Sequence, residues 1–541
     1  MSPASALRPL GWFVTCLLAS ALGCAPARLP TPVAPYHVED VALTTLQRDL
    51  ATGQVTSAEL VERYVARVTE LDRGPTGLHS VIAINGDAAA IAHTLDAERA
   101  AGRRRGPLHG IPIALKDNIE TGEPTLPTTA GSLALETHVT RRDAPLVARL
   151  RDAGAIVIAK TNLSEWANFR STRSTSGWSA IGGLTRNAYA PDRNACGSSS
   201  GSGVAVSASF AAAAIGTETD GSITCPASVN GLVGLKPTVG LVSRRYIVPI
   251  SAAQDTAGPM ARTVADAAVL LTAMAGTDPG DSATRDANAH KTDYLSSLAT
   301  DALAGTRLGV LRFLMGYDAS VDALFEEQLA VLRTAGATIV DVAAFEGLDR
   351  IDRAEMTVLL TDFRIELNAY LASTPGDTAA RDLAGLMAFN RLHGDREMPH
   401  FGQELFERAE MTAGHDVVRY GQLRSAVRRA AGADGIDALL TTHRVDALIA
   451  PTTGPAWVTD LAKGDAVVGS ASTLPAVAGY PHLTVPMGFI DGLPVGLSFI
   501  GPAWSEARLL SMGYAFEQRT HARRPPILAF SPLAAAVMGP Q

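Results

Sequence analysis

Residues 196–223 combine serines and glycines at both ends of one apolar segment. The first end reads CGSSSGSG from Cys196, and the second reads GTETDGSI from Gly216. A serine hydroxyl can act as a nucleophile, and glycine lets successive backbone N–H groups point into one concavity, as a developing oxyanion requires. The apolar runs 204–206 and 210–215 lie between the two ends, so the stretch is not a Ser/Gly linker. These residues therefore predict a serine-based catalytic site.

Residues 197–201 also match the G-x-S-x-G pattern, which places a nucleophilic serine, here Ser199, between a strand and a helix. The preceding residues, 189–195, favour a turn rather than a strand. The pattern leaves one alternative open, a serine esterase that uses Ser199.

Several separated motifs occur over most of the mature chain. They are LKDNI at 115–119, TAGS at 129–132, GAIVIAKTN at 154–162, the Gly/Ser tract through GLKPT at 234–238, DTAGP at 255–259, residues 475–486, GLPVG at 492–496 and residues 506–510. In their sequence and order these motifs resemble those of the amidase signature family. The resemblance implies an α/β fold in which a central, mixed and twisted sheet is flanked by helices. It also implies hydrolysis of a carboxamide without metal or cofactor.

The resemblance further implies catalytic roles for three side chains. Lys116 matches the family's catalytic lysine, Ser198 its bridging serine, and Ser222 the nucleophile that forms an acyl-enzyme. In this family the peptide bond before the bridging serine is cis. In this chain it is the bond between Gly197 and Ser198. The oxyanion hole would consist of the backbone N–H groups of Thr219, Asp220, Gly221 and Ser222.

These roles also make physical sense from the residue types. Lysine is a general base only when neutral, and burial beside the apolar run 111–115 would lower the pKa of Lys116. A second serine lets a proton pass from Ser222 through Ser198 to Lys116 and back to the leaving amine. The leading hypothesis is therefore an amidase that releases ammonia or an amine through an acyl-Ser222 intermediate. A catalytically silent binding protein on the same scaffold is a further alternative.

A narrower resemblance concerns the nucleophile loop. Asp220 stands where the family often has the first of two glycines, which changes the local charge. The run GTETDGSITCP at 216–226 resembles that of bacterial peptide amidases, which remove a C-terminal carboxamide from peptides. The same resemblance extends to four residues that would line the substrate cleft, against the alternative that they belong to the core: Phe389, Asn390, Phe401 and Gln403.

The elements that must position these residues alternate between strand and helix, which favours an α/β fold. Residues 211–214, four consecutive alanines, are predicted to form a helix-packing surface. A helix is expected at 146–150. Short apolar runs predict buried strands at 111–115, 155–159, 447–450, 482–485 and 495–500.

The mature chain is predicted to be a single domain, residues 39–535, with a helical insertion at about 276–440. Within the insertion, strand patterns occur only at 307–312 and 337–342. Long amphipathic helices are predicted there at 321–334, 351–371 and 417–431.

The first 23 residues are predicted to be a signal peptide, because Arg8 precedes an apolar run at 10–22 that is short for a membrane span. The sequence ALGC at 21–24 resembles a lipobox, in which Cys24 would be acylated. Ala19-Ser20-Ala21 offers an ordinary cleavage site instead. Residues 24–38 are Pro-rich and predict an extended tether. We therefore expect an exported protein. The leading hypothesis is a membrane-anchored or periplasmic lipoprotein whose only membrane contact is a lipid on Cys24, and the alternative is a soluble secreted protein. An uncleaved anchor is a third alternative, which the shortness of the apolar run disfavours.

Charge and cysteine usage limit the remaining classes. The chain has 46 Lys and Arg against 54 Asp and Glu, a net charge of −8, which argues against nucleic-acid partners, including the tRNA of an amidotransferase on the same scaffold. Outside the targeting segment only Cys196 and Cys225 remain, and the sequence leaves a bridge between them open. The 12 histidines show no metal-binding spacing, so we expect no metal or cofactor. The expected partner is a small-molecule or peptide amide.

Overall fold

The computed structural model describes residues 35–528. The chain divides into two units, Met1–Tyr36 and His37–Gln541, and the elements below belong to the second unit. The predicted signal peptide and the acylation site at Cys24 lie outside the described residues, as does most of the predicted tether. No helix within 35–528 combines the length and the apolar character needed to cross a bilayer.

The described residues form thirteen strands, and eleven of them build one sheet. The strands are β1 Val81–Ile84, β2 Pro112–Lys116, β3 Ile156–Thr161, β4 Trp178–Ser179, β5 Gly183–Leu184, β6 Ala213–Glu218, β7 Val233–Lys236, β8 Thr256–Ala261, β9 Arg307–Leu311, β10 Thr338–Val342, β11 Ala447–Pro451, β12 His482–Ile490 and β13 Leu493–Ile500. Their order in the large sheet is β1-β3-β2-β6-β8-β7-β12-β13-β11-β9-β10, and β4 pairs with β5 separately.

The α-helices of residues 35–528 surround this sheet, joined by short 3₁₀ and π-helical turns. The helices are α1 Leu43–Thr52, α2 Ser57–Arg67, α3 Ala88–Ala100, α4 Pro145–Asp152, α5 Ser200–Ser207, α6 Thr224–Val229, α7 Val264–Met274, α8 Ala287–His290, α9 Ala319–Thr334, α10 Leu348–Ser373, α11 Leu383–Leu392, α12 Gly394–Glu397, α13 Glu404–Glu410, α14 Val417–Ala431, α15 Ala438–His443, α16 Thr473–Ala478 and α17 Glu506–Thr520.

The sheet is mixed, and its central strands are buried on both faces. Strand β2 runs parallel to β3 and β6, whereas β6 runs antiparallel to β8. Every residue of β2, β3 and β6 is buried, as expected for short apolar runs covered by helices on both sides. This architecture confirms the predicted α/β class with a mixed central sheet.

The prediction that the alanine run at 211–214 forms a helix-packing surface was wrong. Ala213 and Ala214 open strand β6 in the middle of the sheet, and helix α5 ends earlier, at Ser207. Ala213 lies opposite Ile113 of β2, and Ala214 lies opposite Met260 of β8. Alanine has a high helix propensity, but here the tight space between the flanking layers selects small side chains in a strand.

The region 276–440 contains the predicted long helices, α9, α10 and α14, and also extends the sheet. Strands β9 and β10 pair in parallel with each other, and β9 pairs in parallel with β11. The 26-residue helix α10 buries Phe363 against Phe169 and Phe406, with ring centroids 5.0 and 5.3 Å apart. The insertion is therefore anchored both to the sheet edge and to the segment that follows β3.

Candidate active site

Two neighbouring parallel strands bring the predicted catalytic segments to one edge of the sheet. Strand β2 ends at Lys116 and β6 ends at Glu218, with Leu115 opposite Ile215. Because carboxyl ends of parallel strands meet at the same edge, the loop after β2 and the loop at 219–222 lie side by side.

Lys116 is fully buried at this edge. Its Nζ lies 2.7 Å from Ser198 Oγ, 2.8 Å from Thr217 Oγ1 and 3.2 Å from the Thr217 carbonyl oxygen. Burial lowers the pKa of Lys116 to about 7, even though the nearby carboxylates of Asp255 and Glu218 favour the ammonium form. A large fraction of the amine is therefore neutral near neutral pH, as a general base requires.

Ser198 lies two residues before helix α5, which packs against β2 and β6. The peptide bond between Gly197 and Ser198 is cis, as the resemblance implies. A Cβ atom at Gly197 would approach Ser164 Oγ to 2.2 Å, so only glycine fits there. The carbonyl oxygen of Ser198 accepts from the N–H of Ser164 at 3.0 Å, which fixes the loop against the segment after β3.

Three serines meet at this point, and they differ in exposure. Ser198 and Ser199 are completely buried, whereas Ser222 is 8 % exposed. The backbone N–H of Ser199 donates to the carbonyl oxygen of Ser222 at 3.2 Å, so the two segments are in direct contact. Of the three residues, Ser222 is therefore the most accessible from solvent.

Ser199 joins helix α5 to strand β6. Its Oγ donates to the Thr217 carbonyl oxygen at 3.0 Å and accepts from the Thr217 N–H at 3.2 Å. Residues 185–199, between β5 and α5, contain no extended strand. Because the side chain is buried and engaged and the preceding strand is missing, the esterase alternative that uses Ser199 has no structural support.

The loop at 219–222 contains the backbone donors that the sequence predicts for an oxyanion hole. Within residues 35–528, none of the N–H groups of this loop donates to a protein acceptor. Gly221 has a φ of +76°, a left-handed conformation that glycine adopts without strain. These donors are therefore free to bind a substrate oxygen.

Carboxylates hold this loop from both sides. Asp255 accepts from Thr219 Oγ1 at 2.6 Å and from the backbone N–H groups of Ile250 and Ser251 at 2.8 and 2.9 Å. Glu218 Oε2 accepts from the N–H groups of the two residues that follow Ser222, at 2.7 and 2.9 Å. The loop conformation is thus fixed before any substrate binds.

A buried ion pair supports the end of β2. Lys160 Nζ on β3 lies 3.1 Å from Asp117 Oδ1, and both side chains are fully buried. Asp117 also accepts from the backbone and the hydroxyl of Thr129. Next to it, Asn118 Nδ2 donates to Thr217 Oγ1 at 3.0 Å, so the hydroxyl that contacts Lys116 is itself positioned.

Asp220 faces a second carboxyl group from the insertion. Thr473 Oγ1 donates to Asp220 Oδ2 at 3.1 Å, and Gln254 Nε2 donates to Glu355 Oε1 at 2.7 Å. Burial and the charge of Asp220 raise the pKa of Glu355 well above its ordinary value. Asp220, which stands where the family often has a glycine, therefore lies beside the carboxyl group of Glu355, which holds its proton.

A disulfide joins the two predicted catalytic segments. Cys196, two residues before Ser198, is bonded to Cys225, three residues after Ser222, with the Cα atoms 6.0 Å apart. The bridge that the sequence left open is therefore formed.

Three residues of the site have roles that the sequence did not reveal. Thr217 holds Lys116, Asn118 orients Thr217, and Asp255 orients Thr219. All three lie in segments that carry the resemblance, LKDNI, the Gly/Ser tract and DTAGP, so the signal was their position in a motif. Nothing in the spacing distinguished them from structural polar residues.

A pocket of about 300 Å³ opens beside the catalytic segments. Asn118, Thr217, Thr219 and Asp255 form one part of its wall. A face of helix α10 forms another part, and three arginines also line it: Arg142, Arg244 and Arg245.

The four residues predicted to contact substrate from the insertion do not line this pocket. Asn390 is fully buried and donates to Gln403 Oε1 at 3.1 Å. Phe401 lies under the guanidinium of Arg170, 4.4 Å from the ring centroid, and Phe389 packs against the core around α10. These contacts favour the alternative of core packing for the four side chains.

Comparison with known proteins assigns the family. The Amidase family model matches residues 59–510. The solved structure of native peptide amidase from Stenotrophomonas maltophilia is 51% identical, with a TM-score of 0.85, and the match covers 91% of this chain and 99% of that chain. A probable amidase of Arabidopsis thaliana is 38% identical, and the match covers 91% of this chain and 92% of the relative.

A glutamyl-tRNA(Gln) amidotransferase component of Symbiobacterium thermophilum is 35% identical, covering 89% of this chain and 97% of the relative. The family is therefore shared by enzymes with different amide substrates. With the family model spanning most of the chain, this protein belongs to the amidase signature family and is a hydrolase that acts on amides.

Proposed function

We propose that this enzyme removes the C-terminal carboxamide from peptides, with Ser222 as nucleophile, Ser198 as bridging residue and Lys116 as base. The single observation that carries the mechanism is the 2.7 Å contact between Lys116 Nζ and Ser198 Oγ. The pKa of this same lysine is lowered to about 7. The similarity to a peptide amidase at 51% identity supports the substrate class.

The first half of the reaction forms the acyl-enzyme. Neutral Lys116 accepts the proton of Ser198, which in turn accepts the proton of Ser222 as its oxygen attacks the carboxamide carbon. The N–H groups at 219–222 bind the oxyanion. When the tetrahedral intermediate collapses, the proton returns through Ser198 to the leaving nitrogen, which departs as ammonia.

The second half uses water in place of the amine. Water attacks the acyl-Ser222 carbonyl and passes a proton through Ser198 to Lys116, and collapse restores Ser222 and releases the peptide carboxylate. The acyl group is then the peptide, and the pocket beside Thr217 and Thr219 has the volume of a small ligand site.

Fluorophosphonate labelling followed by peptide mapping tests the nucleophile. We expect one adduct, on Ser222, which disappears in Ser222→Ala and forms much more slowly in Lys116→Ala. Ammonia release from peptide amides should fall by several orders of magnitude in both variants. Thermal unfolding of each variant shows that it is folded.

The competing hypotheses give different outcomes. An adduct on Ser199 that persists in Ser222→Ala would support the hypothesis of an esterase that uses Ser199. The absence of any adduct on folded protein, together with binding of peptide amides, would favour the silent binding protein. Release of ammonia from simple acyl amides but not from peptide amides would support the amidase chemistry and contradict the proposal of a peptide substrate.

We also propose that the enzyme is exported and lipid-anchored through Cys24. The support is the apolar run at 10–22, the ALGC sequence at 21–24 and the Cys196–Cys225 disulfide, a bond that persists in oxidising compartments. Intact mass of the protein from its native membranes should show a lipid-modified cysteine as the first residue. Cys24→Ala should release the enzyme into the soluble fraction, and an unprocessed, cytoplasmic chain would contradict the proposal.

A further inference from the structure

One face of helix α10 forms a wall of the pocket. The lining residues from this helix are Glu366, Ala369, Tyr370 and Ser373, which follow the spacing of a single helical face. The Tyr370 hydroxyl donates to Glu120 Oε1 at 2.8 Å, and the Ser373 hydroxyl donates to the carbonyl oxygen of Ala369. Of these side chains, Glu366 is the one that carries charge.

The cations around the pocket are already paired with carboxylates. Arg244 binds Asp281 at 2.7 Å and also donates to the Ala252 carbonyl oxygen. Arg245 lies 3.0 Å from Asp278.

The two remaining cations near the helix are paired in the same way. Arg142 binds Glu120, with one nitrogen–oxygen distance of 3.0 Å. Arg424, close to Glu366, lies 3.8 Å from Asp362. None of these arginines therefore offers an unpaired charge to a ligand.

Glu366 is the exception to this pairing. It is half-buried, and no cationic side chain of residues 35–528 forms an ion pair with it. Burial and the charge of Asp362 raise the pKa of Glu366, whereas Arg244 and Arg424 oppose the increase from a distance. A carboxylate on a pocket wall without a protein partner is best stabilised by a cationic ligand.

We propose that Glu366 selects substrates whose acyl part carries a cationic group, a lysine or arginine side chain or an amino terminus. This inference rests on the proposed function, because the acyl group is the part of the substrate that would occupy the pocket. An anionic acyl group is disfavoured, because Glu366 would repel its charge. The arginines around the pocket would not offset this repulsion, since each is already paired with a carboxylate.

Matched peptide amides test this selection. The substrates are acetyl dipeptide amides that carry lysine, norleucine or glutamate at either position. The side chains of lysine and norleucine have a similar aliphatic length, so these two substrates differ mainly in charge. Ammonia release gives kcat/KM for each. We expect the wild-type enzyme to favour lysine over norleucine by about tenfold at one position, mainly through KM. Higher salt should reduce the ratio.

The variants assign the preference to one side chain. Glu366→Gln should bring the lysine-to-norleucine ratio close to one, and Glu366→Lys should favour glutamate. Glu327→Gln is the matched control, because Glu327 is an exposed carboxylate on α9 outside the pocket, and it should leave the ratio unchanged. A wild-type ratio near one, or a ratio that survives in Glu366→Gln, would overturn the inference.

A binding measurement separates this inference from the proposed function. Ser222→Ala, which cannot form the acyl-enzyme, should bind the lysine dipeptide amide about tenfold more tightly than the norleucine one in calorimetry. The additional change Glu366→Gln should abolish the difference. If the wild-type enzyme releases no ammonia from any peptide amide, the proposed function fails, while the binding ratio still decides the role of Glu366.

Discussion

At the scale of the residue, Lys116 is governed by two opposing effects. Complete burial favours the neutral amine, and the carboxylates of Asp255 and Glu218 favour the ammonium. Desolvation is the larger effect, so the pKa of Lys116 falls from 10.5 to about 7. The same side chain on a protein surface would be protonated and unable to accept the proton of Ser198.

A pH profile of kcat/KM tests this balance. Because protonated Lys116 cannot accept a proton, we expect the rate to rise with pH through a midpoint near 7 and to level off above it. Asp255→Asn removes a negative charge that favours the ammonium and should move the midpoint to lower pH. A profile that still rises toward pH 10 would contradict the role of burial.

Gly221 offers a second test at this scale. Gly221→Ala places a side chain at a φ of +76°, which strains the backbone of the loop at 219–222, and its Cβ would lie 3.0 Å from Ser472 Oγ, so either this side chain or the loop must give way. We expect a stability loss of about 1–3 kcal/mol and a fall in kcat of roughly 10²-fold, since the oxyanion donors are displaced.

The control for Gly221 is Gly53, which follows α1. Gly53 has a similar φ of +74°, but an added Cβ would have no atom within 4 Å. Gly53→Ala should therefore cost stability through backbone strain while kcat stays unchanged. Equal kcat in the two variants would show that the loop conformation at Gly221 is unimportant for the reaction.

The residue types of the site could be predicted, but their supports could not. Lys116, Ser198 and Ser222 stand out by motif and order along the chain, and the structure brings Lys116 and Ser198 into contact. The roles of Thr217 and Asp255 depend on which segments become neighbours in space. Sequence spacing carries no information on that contact.

At the scale of the element, the candidate catalytic segments lie at the junctions around strand β6. Helix α5 begins two residues after Ser198, and helix α6 begins two residues after Ser222. The Cys196–Cys225 disulfide links the segment before α5 to the first turn of α6. The two short catalytic segments are therefore held to each other as well as to the sheet.

Removing this disulfide should weaken the protein and its site. For a sequence separation of 29, loop-closure entropy gives a stabilisation of about 3–4 kcal/mol. The double variant Cys196→Ser with Cys225→Ser should show a correspondingly lower urea midpoint and a reduced kcat. Reductant should destabilise the wild-type protein but leave the double variant unchanged. Equal unfolding midpoints for wild type and variant would contradict the prediction.

The predicted elements failed where local propensity and tertiary packing disagree. Residues 211–214 have the composition of a helix, yet Ala213 and Ala214 lie in a central strand between β2 and β8. By contrast, the predicted helix at 417–431 matches α14, because an amphipathic helix on the surface is determined mainly by its own periodicity.

At the scale of the whole molecule, one sheet runs through the unit that begins at His37. Strands from the first half, such as β7, pair with β12 near the end of the chain, and β9 from the insertion pairs with β11. Helix α10 contributes both core side chains and a wall of the pocket. The insertion therefore shares both the sheet and the core with the segments around the candidate site.

Equilibrium unfolding should reflect this continuity. We expect enzymatic activity, near-UV circular dichroism and far-UV circular dichroism to change in one coincident urea transition, because separating the insertion would break β9–β11 pairing and expose the core under α10. Hydrogen exchange measured by mass spectrometry provides the check by region. An earlier transition confined to 348–443 would show that the insertion is an independent unit.

The sequence by itself determined the family, the α/β class, and the serine and lysine residues able to do the chemistry, because these depend on motif order and residue type. The tertiary structure alone decided three further properties: the lowered pKa of Lys116, the disulfide between the two candidate catalytic segments, and the carboxylate of Glu366 on the pocket wall, which forms no ion pair within residues 35–528. Each of them depends on burial or on contacts between segments far apart in the chain. Such contacts are fixed only when the strands pair and the helices pack.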